Sequence, residues 1–283
     1  MEDDRDDFMR VKNCMALVGK RVAFGRPFCY NENDGYVLSE RGMVMGRNVM
    51  VTGTGRPYAL GFNMVLRYLE AGDRVVATVR KESADLEKLK EQYGDQLIIL
   101  TMDIGNSDSV NQAAERLSGE IDHLDLIINN AVTVSPDCDK EFFDANLDYI
   151  ARTVDVTAVG PMRVIKAFYP LLKKSEGVSL IINVSSEAGS ISKCYRRNMI
   201  DYGMAKAALN MATMNLVNTF KAERKVNIFC IHPGWIRTNG RDDNPAPLSS
   251  YEAAGILQGL FDKKWNDFDG PRFITNDGEA YPF

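Results

Sequence analysis

Histidine is scarce in this chain: His123 and His232 are the two among 283 residues, too few for a histidine-built metal centre. Cysteine does not fill that gap. Cys14, Cys29, Cys138, Cys194 and Cys230 are odd in number and form no CxxC pair, so neither a disulfide framework nor a zinc site is suggested. Positive charge is not in excess either, and a net charge of −5 removes the usual ground for nucleic acid or anionic lipid as a partner. Long apolar runs are missing, since LDLIINNAV and SLIINV fall far short of a bilayer span. A secretory leader is not legible, because the first residues, MEDDRDD, are acidic where a leader carries positive charge and then an apolar stretch. The expectation is a soluble, cytoplasmic protein that binds neither nucleic acid nor membrane.

What is present is a 45% apolar composition, enough for the core of one large α/β domain or two small ones. From residue 47 onward short apolar runs alternate with stretches of helical period, the pattern of a parallel sheet covered by helices. Strands are expected at 48–52, 74–79, 97–102, 124–129, 178–184, 226–231 and 272–275, and helices near 60–71, 83–93, 107–118, 140–173, 200–222 and 250–262. Strict alternation implies a single doubly wound, Rossmann-type α/β domain over residues 48–283 with a seven-stranded parallel sheet. Residues 1–47 stay outside the alternation and read as an N-terminal extension. They are either a disordered tail or an arm whose Phe24, Phe28 and Tyr30 dock on the body or on a neighbouring subunit.

In an open α/β sheet the ligand sits beyond the carboxyl ends of the strands, and the first strand-to-helix turn holds a pyrophosphate. Here that turn reads TGTGRPYALG, residues 52–61. A glycine-rich turn alone is weak evidence, because any tight turn after a strand favours glycine. Polar residues also follow the later strands: Asp103, then Asn130 in NNAV, then Ser185 and Ser186 in SSEAGS. The segment YGMAK places Tyr202 and Lys206 four apart, on one face of a helix. An ammonium beside the phenol is expected to lower the Tyr202 pKa from about 10 and make it a general acid. Tyr169 and Lys173 share the spacing, but Tyr169 precedes Pro170 at an expected helix end, whereas Tyr202 follows a strand tip that offers serine hydroxyls.

Taken in order, TG at 52–53, LDLIINNA at 124–131, VGPMR at 159–163, IINVSSEAGS at 181–190, YGMAK at 202–206 and HPGWIRT at 232–238 resemble the short-chain dehydrogenase/reductase family, in its carbonyl-reductase-like branch. The resemblance covers roughly residues 47–283. It implies hydride transfer between a nicotinamide cofactor and a ketone or secondary alcohol. Tyr202 would be the acid/base, Lys206 would bind ribose and tune Tyr202, and Ser186 would orient the substrate oxygen. Thr157 would supply a main-chain carbonyl to a relay water. Thr52, Gly53, Gly55, Arg56 and Gly61 would form the phosphate loop, with Asp103 and Ile104 at the adenine, and Asn130 and Ala131 by the ribose. Pro233, Ile236 and Thr238 would support the nicotinamide. A homo-oligomer, dimer or tetramer, is implied by the resemblance alone.

Some positions depart from the family pattern. The phosphate loop is two residues too long, with Ala59 in its middle glycine slot and Pro57-Tyr58 inserted; a reshaped loop is expected to bind the cofactor. Val132 stands where a glycine normally turns, Thr157 replaces an asparagine, and the chain from Ser186 to Tyr202 is longer than usual. A fainter resemblance to gut-bacterial 20β-hydroxysteroid dehydrogenases suggests a steroid ketone. The alternatives are a reductase of smaller ketones or a silent nucleotide-binding regulator. For the cofactor, Val79 in place of an acidic residue, followed by Arg80 and Lys81, with Arg56 in the loop, favours NADP(H). The steroid enzymes point to NAD(H), and the two stay evenly balanced at this level.

Overall fold

The computed structural model of the protein describes residues 46–238, 240 and 243–283. The docking expected for Phe24, Phe28 and Tyr30 falls outside the described residues. In chain order the strands are β1 (Asn48–Thr52), β2 (Arg74–Val79), β3 (Leu97–Thr101), β4 (Leu126–Asn129), β5 (Ser179–Val184), β6 (Val226–His232), β7 (Ile236–Arg237), β8 (Leu248–Ser249) and β9 (Phe273–Thr275). The helices are α1 (Leu60–Glu70), α2 (Ala84–Tyr93), α3 (Ser107–Ser118), α4 (Tyr149–Val154), α5 (Gly160–Lys173), α6 (Ile200–Phe220) and α7 (Ser250–Lys264). Every residue of β1, β4 and β5 is buried, because helices cover both faces of the sheet and leave no solvent side for alternation.

Seven strands form one all-parallel sheet in the order β3-β2-β1-β4-β5-β6-β9, while β7 and β8 make a separate parallel pair. The order reverses at β1, which pairs with β2 on one side and β4 on the other. A crevice opens at such a reversal. One apolar layer packs α1 and α7 on the sheet, with Tyr68, Phe229 and Phe261 in its centre. The opposite layer packs α3 and α5 through Val110, Leu117 and Phe168.

Most expected elements form within two residues of their expected ends. The exception is the long helix over 140–173, which is three pieces. Residues 140–148 stay irregular because local side-chain bonds compete with the helix: Asp137 accepts from Asn146 N at 3.1 Å and Asn146 accepts from Asp148 N at 3.0 Å. Between α4 and α5 the turn widens to π geometry over Asp155–Val159. Pro161 has no N–H, so position 161 cannot make an α-helical bond to the Thr157 carbonyl. Pro170 does not end α5. It sits inside the last turn, which continues to Lys173 because Leu171 and Leu172 are buried beside it.

The packing of α5 gives a direct check. Phe168 is fully buried, and Phe168→Ala should cost about 3–5 kcal/mol, read as a fall in the urea midpoint at unchanged m-value.

Candidate active site

At the carboxyl ends of the strands lies a cavity of about 770 Å³, lined by the ends of β2, β5 and β6 and by the segments that follow β1 to β6. Its phosphate end is the loop after β1. Gly53 has φ +75°, a conformation glycine adopts without strain. A Cβ at Gly61 would lie 2.4 Å from Asn130 Nδ2 and 2.5 Å from Gly53 O, so the loop is tight at its base. At Gly55 the nearest atom is Val79 Cγ1 at 3.4 Å, so the face towards the cavity is open. The inserted residues form a turn closed by Ala59 N to Arg56 O at 3.0 Å. Asn63 Nδ2 fastens it, donating to Pro57 O and Ala59 O at 2.9 Å each. Ala59 itself becomes the N-cap of α1 and still lines the cavity, which is the reshaped loop the extra residues called for.

The loop is stitched to the tip of β4. Thr52 Oγ1 accepts from Asn130 N and Ala131 N, both at 3.0 Å, and Asn130 Nδ2 donates to Thr52 O at 2.9 Å. The Asn130 Nδ2 is therefore committed to protein backbone, while the residue still lines the cavity. Val132 is exposed on the cavity wall, and its φ is not positive, so the position that usually holds glycine makes no left-handed turn here. Asp103 accepts from Gly105 N at 2.9 Å and faces Arg152 at 3.9 Å. Ile104 lines the cavity while its buried side chain packs on Gly160. Beyond β2 the side chains of Arg56, Arg80 and Lys81 line the cavity, and among the described residues none of them forms a hydrogen bond or ion pair.

The opposite wall is the start of α6 packed on the tip of β5. Lys206 is buried, and its Nζ donates to Val184 O at 2.5 Å. Close approach of the two elements depends on Gly189, where a Cβ would lie 2.8 Å from the Lys206 backbone. Asn210 completes the joint, accepting from Ser185 Oγ at 2.7 Å and donating to Gly189 O at 3.1 Å. Asp201 ties the same helix to the segment after β4, accepting from Ser135 N at 2.7 Å and Thr153 Oγ1 at 2.8 Å. Thr157 Oγ1 donates to Thr133 O at 3.2 Å, so that side chain is spent on the backbone.

Tyr202, Ser186 and Lys206 all line the cavity, as expected; Tyr169 instead stacks on Phe220 at 5.5 Å. The expected lowering of the Tyr202 pKa is not what this structure has. Lys206 Nζ lies over the ring, 5.4 Å from its centre, and its hydrogen bond goes to Val184. Burial pushes the phenol up to about 12, against a downward pull from Ser186. Burial likewise pushes Lys206 down to about 8.

Sequence reasoning missed a second polar group in the cavity. Ser186 Oγ donates to Glu187 Oε2 at 2.5 Å, and Arg196 Nε donates to Glu187 Oε1 at 2.9 Å. His232 Nδ1 is 3.9 Å from the same carboxylate. Burial pushes Glu187 up, but the bonds from Ser186 and Arg196 outweigh it and hold the carboxyl below its usual range. His232 is pushed down by burial. A charged residue directly after Ser186 was the available signal; nothing local marked Arg196. Met199, also on the wall, takes φ 57° just before α6, a left-handed conformation that costs a non-glycine residue roughly 1 kcal/mol.

On the far side, Ile236 is buried and Thr238 exposed, and both line the cavity with Pro233. Ser250, the first residue of α7, donates to Tyr58 O at 2.7 Å and to Arg237 O at 2.8 Å. Gly240 lies against the Tyr58 ring, with an ideal Cβ only 2.9 Å from it.

The family model for short chain dehydrogenases matches residues 47–247. The chain belongs to that family. Among related proteins, the short-chain dehydrogenase RED3 of Pyricularia oryzae is 26% identical over 258 residues, covering 84% of this chain and 100% of its own. A short-chain dehydrogenase/reductase of Burkholderia multivorans with bound NADP superposes with TM-score 0.73 at 28% identity, covering 84% of this chain and 100% of the other. The carbonyl reductase Sniffer of D. melanogaster gives 0.75 at 26% identity with the same coverage. This dehydrogenase is a nicotinamide-dependent oxidoreductase acting on CH–OH or C=O groups. No helix among its described residues is long and apolar enough to cross a membrane.

The glycine geometry sets two outcomes apart. In the dehydrogenase Gly61→Ala should lose about 1–3 kcal/mol of stability, while Gly55→Ala should leave the fold as stable as before, because its Cβ meets no atom nearer than 3.4 Å; urea melts of the two variants read the difference.

Proposed function

We propose that the chain is an NADP(H)-dependent ketone reductase and secondary-alcohol dehydrogenase in which Tyr202 is the proton donor. The observation that carries this reading is the convergence of Tyr202, Ser186 and Lys206 on a cavity whose other end holds Arg56, Arg80 and Lys81 without protein partners among the described residues. The cofactor, when bound, supplies or accepts the hydride. Thr52, Gly53, Gly55 and Gly61 would hold its phosphates, Asp103 and Ile104 the adenine end, Asn130 and Ala131 the ribose wall, and Pro233, Ile236 and Thr238 the nicotinamide. Arg56 and Arg80 would take the 2′-phosphate, since a guanidinium can clamp phosphate with two hydrogen bonds. The NADP bound to the Burkholderia neighbour supports this choice over NAD.

Tyr202 donates its proton to the substrate oxygen, Lys206 pins the helix that carries it, and the Thr157 carbonyl is the acceptor for a relay water. The substrate end combines Val132, Val134, Met199 and Trp235 with the charged Glu187 and Arg196. That mixture supports a ketone with an apolar body; a 20β-ketosteroid is one member of the class and smaller ketones are another. A silent nucleotide-binding regulator would not need the hydroxyl of Tyr202.

Tyr202→Phe should reduce turnover of a ketone panel by at least ~10²-fold, with Tyr169→Phe near wild type; near-normal activity of the first variant would refute the assignment. Arg80→Ala should weaken NADPH binding by about 10–100-fold, the range of a hydrogen bond to a charged group, and leave NADH binding nearly unchanged. Equal weakening of both cofactors would show that Arg80 does not read the 2′ position.

A further inference from the structure

The Glu187–Arg196 pair lies at the substrate end of the cavity, and it also touches Ser186. Ser186 has one hydroxyl proton, and it points at Glu187 Oε2, 2.5 Å away. Ser186 Oγ in turn accepts from Ala188 N at 3.2 Å, which fixes the hydroxyl from the other side. Arg196 anchors the carboxylate through Nε at 2.9 Å and through Nη2, and Tyr195 OH reaches the same oxygen at 3.5 Å. Ser186, Glu187, Arg196 and Tyr202 all line one cavity.

We propose that Glu187, held by Arg196, is a positioning residue that takes the Ser186 hydroxyl proton in a hydrogen bond and so leaves Ser186 facing Tyr202 as a hydrogen-bond acceptor while no substrate is bound. This rests on the reading of Tyr202 as the proton donor. A serine that donates to Tyr202 pulls the phenol down, and sharing its one proton with Glu187 weakens that pull. The Glu187 charge adds to the effect by disfavouring a second negative charge on Tyr202, and the Arg196 charge offsets it. Glu187 thereby adds to the burial that favours the protonated form of Tyr202, the form a carbonyl substrate needs.

The other charged or titratable groups around Tyr202 do not reproduce this pattern. Lys206, on the same helix, is bonded to Val184 O, and His232, from β6, is pushed towards its neutral form by burial. Tyr281, whose phenol feels the Glu187 charge, is raised by burial and stays neutral.

The roles of the two partners are opposite in sign, which separates positioning from simple structural support. With the NADP⁺-bound enzyme carrying ¹³Cζ-tyrosine, the Tyr202 NMR signal, assigned by its loss in Tyr202→Phe, reports phenol ionisation without any substrate. Glu187→Gln should move its titration to lower pH by on the order of one unit, and Arg196→Gln should move it to higher pH by a similar amount. The double variant Glu187→Gln/Arg196→Gln should return towards wild type, and it also answers for a single variant that folds poorly. Shifts in the same direction, or no shift in Glu187→Gln, would overturn the proposal. Because the signal is independent of turnover, a protein that failed every ketone assay would still show whether Glu187 acts on the Tyr202 phenol.

Discussion

The contact on which the site depends is the hydrogen bond from Lys206 Nζ to Val184 O. A buried ammonium is costly unless it is bonded, so α6 can lie on the sheet only where a carbonyl meets that nitrogen. The last residue of β5 supplies it. Once that bond sets the depth of α6, Gly189 permits the approach, Asn210 closes the joint and Tyr202 is delivered to the level of Ser186. The same burial that fixes the geometry raises the phenol and lowers the ammonium, so position and acidity are set together.

The cofactor end follows a different logic. There the protein offers backbone and open space, and the tip of β1 is made rigid from behind. Thr52 and Asn130 exchange hydrogen bonds across neighbouring strands, which leaves the loop glycines to face the cavity with few side chains in the way. Arg56, Arg80 and Lys81, without side-chain partners among the described residues, stand at one edge together with Glu82.

Much of this was legible in the sequence, for physical reasons that differ by element. The strands were readable because residues buried on both faces must be apolar, and NVMVT or SLIINV have few other uses. Helix α3 was placed to the residue because Asn106 caps it through Ser109 N and Gly119 follows it. Residues 140–148 were misread because Asp137 and Asn146 compete for the backbone locally, and helical period does not register such competition. The four-residue spacing of Tyr202 and Lys206 showed that they are neighbours but not which atom the ammonium faces. Glu187 and Arg196 meet through a loop with no periodicity, so their pairing exists only in three dimensions. At Met199 the left-handed turn falls on a methionine although Asn198, a better-suited residue, is adjacent.

The hydroxyl of Ser250 sits between two carbonyls, that of Tyr58 in the loop after β1 and that of Arg237 in β7. It has one proton to give. Neither carbonyl can therefore be held at full strength while the other is, and the two strips of chain share a single latch. The loop after β1 and β7 thus meet the first turn of α7 at the same hydroxyl. One oxygen atom therefore ties two stretches of the chain that lie far apart in sequence to a single point of the fold.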